Sequence, residues 1–76
     1  HEVDFIWKRK GKDTITIECK WSADQFEPSG MQAFRRLYPT GKSYGVAYDI
    51  RRPFLRVYKN LTVEFLNLNQ LIKNLE

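Results

Sequence analysis

Residues 2–21 read EVDFIWKRKGKDTITIECKW, and two runs of alternating apolar residues in this stretch predict a β-hairpin. A basic segment, residues 9–13, separates the two runs and supplies a turn around Gly11. Alternation with a period of two places each apolar set on one face of its strand, and we expect both sets to face the core. The sets are Val3, Phe5 and Trp7 on the first strand, and Ile15, Ile17, Cys19 and Trp21 on the second.

A turn centred on Gly11 fixes the register of this hairpin, because a slip by one residue would turn one apolar set outward. In this register Asp4 lies opposite Glu18, and Ile6 lies opposite Thr16. Two carboxylates that face each other across a sheet repel. A divalent cation would offset this cost with carboxylate ligands and its own positive charge.

Lys20 follows Glu18 by two residues and therefore points to the same side of the sheet. Two acids and a lysine on one face are groups that suit metal-dependent phosphodiester hydrolysis. The cation polarises the phosphate and activates a water, while the lysine positions that water or stabilises developing charge. The alternative interpretation is that Asp4, Glu18 and Lys20 are ordinary solvated residues on the polar face of an amphipathic sheet.

Asp4, followed later by Glu18-Cys19-Lys20, resembles the Asp…(Asp/Glu)-x-Lys signature of the restriction-endonuclease-like, or PD-(D/E)xK, nuclease superfamily, with Val3 in the place of its proline. The wider sequence across residues 2–48 is similar to the C-terminal nuclease-like domain of a family of prokaryotic AAA-type ATPases. This similarity runs through the segments EVDFIW, TITIECKWS, SGMQAFRRLYP and SYGVAY.

The resemblance implies a truncated restriction-endonuclease-like core that starts at the second strand of the superfamily, with an ATPase domain elsewhere in the full-length chain. It implies that Asp4, Glu18 and Lys20 are catalytic residues for phosphodiester hydrolysis in DNA. It also implies Asp4, Glu18 and the Cys19 carbonyl as ligands of Mg²⁺ or Mn²⁺. Two alternatives stay open on the same fold: a DNA-binding module that does not cleave, and a protein-interaction domain such as a homodimer.

The segment after the hairpin predicts a loop over residues 22–28 and a helix over residues 30–38. Ser29 is a favourable N-cap, and Gln32 three positions later would complete a capping box. Some superfamily members use a helix glutamine, which Gln32 resembles, but we favour the capping role. Met31, Phe34, Leu37 and Tyr38 are spaced to pack inward, whereas Arg35 and Arg36 fall on the other side.

The second half of the chain predicts a strand over residues 42–49, which a parallel, right-handed crossover would link to the hairpin. Residues 54–60 form another strand candidate, and residues 61–65 continue it or form a further strand after a turn. Asn67 can cap a short C-terminal helix with an apolar stripe. The stripe consists of Leu68, Leu71, Ile72 and Leu75. The expected fold is an α/β (α+β) domain with a mixed sheet, formed by residues 1–76 as part of a larger protein.

The chain carries a formal net charge of +4, which is compatible with nucleic-acid binding. No motif resembles a base-reading element, so we expect recognition of the phosphate backbone or of nucleic-acid structure. The candidate nucleic-acid-binding residues are Lys8, Arg9, Lys10, Lys12, Arg35, Arg36, Arg51 and Arg52.

Composition excludes several classes of protein. A single cysteine excludes an internal disulfide and a multi-cysteine zinc site, and its place in the apolar run predicts a buried structural thiol. The sequence has no G-x-x-x-x-G-K-[ST] motif, so it contains no P-loop for ATP. No apolar run approaches the ~20 residues that span a bilayer. We expect a cytoplasmic domain.

Overall fold

A computed structural model describes residues 4–8 and 10–76, which form an α+β domain built on one mixed five-stranded sheet. Two helices pack against this sheet, and the loop after the second strand includes a 3₁₀ turn at Ala23–Gln25. In chain order the elements are β1 (Phe5–Trp7), β2 (Ile15–Lys20), α1 (Ser29–Leu37), β3 (Ser43–Ala47), β4 (Phe54–Tyr58), β5 (Leu61–Leu66) and α2 (Leu68–Leu75).

The strand order is β1-β2-β3-β5-β4, with a parallel centre and antiparallel edges. Strand β3 is parallel to both β2 and β5, whereas β1 and β4 are antiparallel to β2 and β5, respectively. The predicted parallel link from the hairpin through α1 to β3 is confirmed. Ile6 pairs with Thr16, so the predicted hairpin register is confirmed as well.

The sheet is covered on both faces, which gives the domain two cores. One core lies between α1 and the sheet, and the other lies between α2 and the sheet. Strand β3 is buried along its whole length because its alternate residues enter different cores. The α1-side core contains Met31, Ala47, Ile50, Leu61, Val63 and Phe65. The α2-side core contains Ile15, Tyr44, Val46, Leu66 and Leu71.

This arrangement corrects the predicted faces of the hairpin. Phe5 and Trp7 are exposed rather than buried, because β1 is an edge strand and the helices cover the centre of the sheet. Val3 lies outside the described residues. On the opposite face, Thr16 and Glu18 are buried although they were expected on a polar surface. An interior strand of a sheet covered on both sides loses both of its faces to the core.

The C-terminal half contains the predicted strands and the predicted helix. A two-residue turn at Lys59 and Asn60 separates β4 from β5, and Lys59 has a positive φ of 57°. Asn67 caps α2: its side chain accepts a hydrogen bond from the Gln70 N–H at 2.9 Å, and the Gln70 side chain bonds back to the Asn67 N–H at 2.9 Å. Of the predicted apolar stripe, Leu71 is buried and Leu75 half-buried, whereas Leu68 and Ile72 are exposed.

Helix α1 begins one residue earlier than predicted, after Pro28 at the N-cap position, so the expected capping box on Ser29 does not form. The Gln32 side chain instead donates to the Tyr58 carbonyl at 3.4 Å, which links α1 to β4. The predicted inward face is wrong at its C-terminal end, where Leu37 and Tyr38 are exposed.

Arg35 occupies the inward position at the C-terminal end of α1, four residues after the buried Met31. Its side chain is only 6% exposed, so the prediction that it lies on the solvent side is wrong. The guanidinium donates to Ser43 Oγ at 3.1 Å, the Thr40 carbonyl at 2.7 Å and the Lys42 carbonyl at 2.7 Å. These bonds compensate for the cost of burying a cation.

Within the described ranges, no helix has the length and apolar character needed to cross a membrane.

Candidate active site

Asp4 directly precedes β1 and continues the register of the hairpin, so it stands beside Glu18 on the neighbouring strand. Its side chain is exposed, and its Oδ2 atom accepts a hydrogen bond from the backbone N–H of Cys19 at 2.8 Å. This bond fixes one carboxylate oxygen of Asp4 at the C-terminal end of β2, because Cys19 is the residue between Glu18 and Lys20.

Glu18 is the buried acid of the site, with 4% of the residue exposed. Its Oε2 atom accepts a hydrogen bond from the Glu27 N–H at 3.4 Å. Burial raises the pKa of the Glu18 carboxyl above its ordinary value, and the negative charges of Asp4 and Glu27 raise it further. The Glu27 hydrogen bond and the positive charge of Lys20 act in the opposite direction on this pKa. A bound cation would favour the charged form of Glu18.

Lys20 completes the predicted trio. It is half-buried at the last position of β2 and lies on the same side of the strand as Glu18. Its positive charge partly offsets the rise that burial causes in the Glu18 pKa. The structure therefore places Asp4, Glu18 and Lys20 together, as the sequence predicts, but around a buried carboxylate rather than on an open polar face.

Glu27 is a neighbour that the sequence analysis did not single out. The loop after β2 folds back over the sheet, so the backbone of Glu27 reaches Glu18 and its charge raises the Glu18 pKa. The Glu27 carboxylate itself accepts a hydrogen bond from the Ser29 N–H at 3.1 Å. A glutamate in an irregular loop carries no periodic signal, so no sequence pattern marks it.

The carboxylate and carbonyl oxygens of the site could supply some of the ligands of a hard cation. Carboxylate oxygens are the ligands that Mg²⁺ prefers, and Mg²⁺ is commonly held by one or two carboxylates with several waters. Asp4 and Glu18 supply two carboxylates, and the Cys19 carbonyl is the third predicted ligand. Among the residues that the structure describes, no group of three or more His, Cys, Asp or Glu side chains is arranged to hold a metal ion. Any cation here would depend on backbone oxygen and water for its other ligands.

Cys19 is exposed, so the prediction of a buried structural thiol is wrong. The α2 residue Leu71 shares a core with Ile15 on the same face of β2, whereas the exposed first residue of α2, Leu68, lines a recess with Cys19. Desolvation, followed by the negative charges of Asp4 and Glu18, raises the pKa of the Cys19 thiol. A raised pKa keeps the protonated form, which is a poor nucleophile.

The predicted basic surface separates into two regions at opposite ends of the parallel strands. Because β2 has six residues, its ends are about 17 Å apart. Arg9 lies outside the described residues. Arg35 is buried and donates its hydrogen bonds to groups of the protein, so it is not part of either region. Lys8, Lys10, Lys12 and Arg36 lie at the end where β2 begins, whereas Arg51 and Arg52 lie at the end that carries Glu18 and Lys20.

Comparisons with protein-family models, with curated proteins and with solved structures find no match to this chain.

Proposed function

We propose that this chain is a nuclease-like domain of an ATPase, in which Asp4 and Glu18 bind Mg²⁺ or Mn²⁺ and Lys20 assists hydrolysis of a phosphodiester bond in DNA. The observation that carries the proposal is the placement of two carboxylates and a lysine at one end of β2, where Asp4 accepts a hydrogen bond at 2.8 Å from the N–H of Cys19, the residue between Glu18 and Lys20. The charges of Asp4 and Lys20 both act on the Glu18 carboxyl, with opposite effects on its pKa.

The order of the elements around this site supports the proposal. An antiparallel β1–β2 pair carries the acids and the lysine, and α1 then links β2 to the parallel strand β3. This order agrees with the order that the resemblance implies for a restriction-endonuclease-like core from its second strand onward. The ATPase domain of the proposal rests on the resemblance across residues 2–48 and not on this geometry.

Each residue has a distinct part in the proposed chemistry. Asp4 presents an exposed carboxylate whose Oδ2 atom is oriented by the Cys19 N–H. Glu18 must lose its proton to bind a cation, and its raised pKa makes cation binding stronger as the pH rises through that pKa. A bound cation would polarise the phosphate and activate water. Lys20 would stabilise the charge that develops on the phosphate oxygens.

The burial of Glu18 favours a second candidate, a nucleic-acid-binding module that keeps the fold without cleaving. With 4% of the residue exposed and a hydrogen bond from the Glu27 N–H, Glu18 is already enclosed by the loop after β2. A nuclease would need this loop to admit the cation, whereas a binding module would not.

An NMR titration of the folded domain with Mg²⁺ and Mn²⁺ tests the proposal. We expect chemical-shift changes with Mg²⁺, and paramagnetic broadening with Mn²⁺, centred on Asp4, Glu18 and Cys19. Both effects should disappear in Asp4→Asn and persist in Asp13→Asn, which alters an exposed carboxylate before the start of β2. The absence of a local response at millimolar metal would contradict a metal site.

Cleavage distinguishes the two candidates. A nuclease should hydrolyse plasmid or oligonucleotide DNA in the presence of Mg²⁺, and Lys20→Ala should abolish turnover without lowering the melting temperature. DNA binding that persists with no cleavage by the wild type would support the non-cleaving module instead.

A further inference from the structure

Two aromatic side chains stack on each other at the surface, beside the candidate active site. The ring centroids of Trp21 and Tyr48 are 4.9 Å apart with an interplanar angle of 25°. Trp21 is 75% exposed and Tyr48 is 73% exposed, so the stack does not belong to either core. Large apolar groups kept in contact with water in this way often mark a binding surface.

The polypeptide around the pair fixes its position. Trp21 follows β2 and Tyr48 follows β3, two adjacent parallel strands that end at the same edge of the sheet. Asp49 joins the two loops: its carboxylate accepts hydrogen bonds from the Ala23 N–H at 3.0 Å and from Ser22 Oγ at 3.1 Å. These bonds hold the loop after Tyr48 to the loop after Trp21. Two rings whose positions are already ordered lose little entropy when a ligand binds to them.

The stack is next to a cation and the predicted catalytic groups. Trp21, Tyr48, Lys20 and Cys19 line one shallow recess of about 160 Å³. Lys20 is also the lysine whose charge acts on Glu18. The recess therefore combines two aromatic rings with the ammonium group of Lys20, which also belongs to the proposed site of hydrolysis.

We propose that Trp21 and Tyr48 form a stacking platform for an unpaired base of single-stranded nucleic acid, with Lys20 contacting the adjoining phosphate. Every base has a flat π-face, so such a platform binds without reading sequence. This inference rests on the proposed function, because it assigns unpaired nucleic acid as the ligand of the same site.

The size and polarity of the surface favour a base over a protein partner. A stable protein interface buries roughly 800 Å² on each partner. Here the two rings and Lys20 line a recess of about 160 Å³, and the exposed Leu68 lines the recess beside it. Two rings next to an ammonium group suit one small flat ligand attached to an anion. A duplex would not offer a base face, because its bases are stacked on one another.

Binding of three labelled probes in EDTA tests the inference: an oligothymidylate of about eight nucleotides, an abasic oligonucleotide of the same length, and a duplex. We expect the wild type to prefer the oligothymidylate. Trp21→Ala and Tyr48→Ala should each weaken its binding about 5- to 150-fold, the effect of losing one base–aromatic stack. Binding of the abasic probe should change less than twofold.

Conservative and matched variants separate stacking from general damage. Trp21→Phe and Tyr48→Phe keep a ring and should retain most of the affinity. Leu55→Ala removes an exposed apolar side chain from the edge strand β4 and should leave binding unchanged. In the Trp7→Phe background, Trp21 is the single tryptophan, and its fluorescence should be quenched by the oligothymidylate.

The outcomes distinguish this inference from the proposed function. Equal binding of the oligothymidylate by wild type and Trp21→Ala would overturn the platform, even if Mg²⁺ binding and cleavage are observed. Equal affinity of the wild type for the abasic and thymidylate probes would overturn it as well. Loss of self-association in Trp21→Ala, with DNA binding unchanged, would identify a protein contact instead. Failure of the wild type to bind any probe at low salt would overturn the platform, whereas the metal titration and the cleavage assay test the proposed function separately.

Discussion

Arg35 on helix α1 bonds twice to Thr14, the residue that precedes β2. Its Nη1 atom donates to Thr14 Oγ1 at 3.0 Å, and its Nη2 atom donates to the Thr14 carbonyl at 3.1 Å. The same guanidinium binds the carbonyl of Lys42, the residue that precedes β3. One buried cation thus ties the helix to the starting points of two parallel strands, and β2 carries Glu18 and Lys20 to the candidate site.

Replacing Arg35 with methionine should destabilise the domain by about 3 kcal/mol, because four partly buried carbonyl groups lose their donor. Urea unfolding followed by circular dichroism measures the free energy of unfolding. Arg36→Met removes an exposed arginine from the next position of the helix and should change stability by less than about 0.5 kcal/mol. Equal effects of the two substitutions would contradict the structural role of Arg35.

Asp4→Asn should lower the pKa of Glu18, because the negative charge of Asp4 is one cause of its elevation. Asparagine keeps a side-chain oxygen that can accept the bond from the Cys19 N–H, so the hairpin should persist. The chemical shift of the Glu18 side-chain carboxyl carbon, followed by NMR from pH 3 to 9, reports this pKa. An unchanged titration curve would show that the two carboxyl groups are not coupled.

The raised pKa of Glu18 makes a prediction about stability against pH. Between the ordinary value of 4.5 and the raised pKa, the folded state binds more protons than the unfolded state. Stability should therefore fall as the pH rises through this window. In EDTA, Glu18→Gln should remove the part of the pH dependence that Glu18 causes. At a pH above the raised pKa of Glu18, the variant should melt at a higher temperature than the wild type.

The matched control for this experiment is Glu76→Gln, which changes an exposed carboxyl group at the end of the chain. It should retain the pH dependence of the wild type. A wild-type stability that rises steadily from pH 4.5 to pH 8, with the same slope in Glu18→Gln, would contradict the assigned direction of the Glu18 pKa.

Gly45→Ala should destabilise the domain by about 1–3 kcal/mol through overpacking. A Cβ atom at Gly45 would lie 2.7 Å from Cε1 and 2.8 Å from Cδ1 of Phe65. The Phe65 ring cannot move away easily, because it is buried in contact with the rings of Phe26 and Phe54. Thermal unfolding measures the loss. In Phe65→Leu the added methyl group should cost less, and strictly additive losses would argue against this contact.

The division of the basic residues predicts which charges affect nucleic-acid binding. Arg51 and Arg52 lie at the end of the sheet that carries Lys20, whereas Lys10 and Lys12 lie at the other end. The double substitution of Arg51 and Arg52 with alanine should reduce the slope of log affinity against log salt by about one or more. The double substitution of Lys10 and Lys12 should leave this slope unchanged. The reverse result would place the nucleic acid at the hairpin turn.

Patterns within short stretches of sequence were sufficient for the local structure. The alternation on either side of Gly11 predicts the hairpin register, because a period-two pattern allows few pairings that keep apolar residues together. Asn67 predicts the start of α2, and the structure adds Gln70, three positions later, as its partner in a capping box. The same hairpin register brings Asp4 beside Glu18, so the sequence alone predicts these two acids of the candidate site, but it does not predict Glu27.

Only the tertiary structure decided what surrounds those residues. Glu18 is buried, Arg35 is enclosed and Cys19 is exposed, each opposite to its expected environment. A period-two or helical pattern shows which residues share a face, but not whether a distant element covers that face. Here α1 and the loop after β2 cover the polar face of β2, whereas the start of α2 leaves Cys19 exposed. Burial is a property of long-range packing, which is why it could not be predicted from the strand itself.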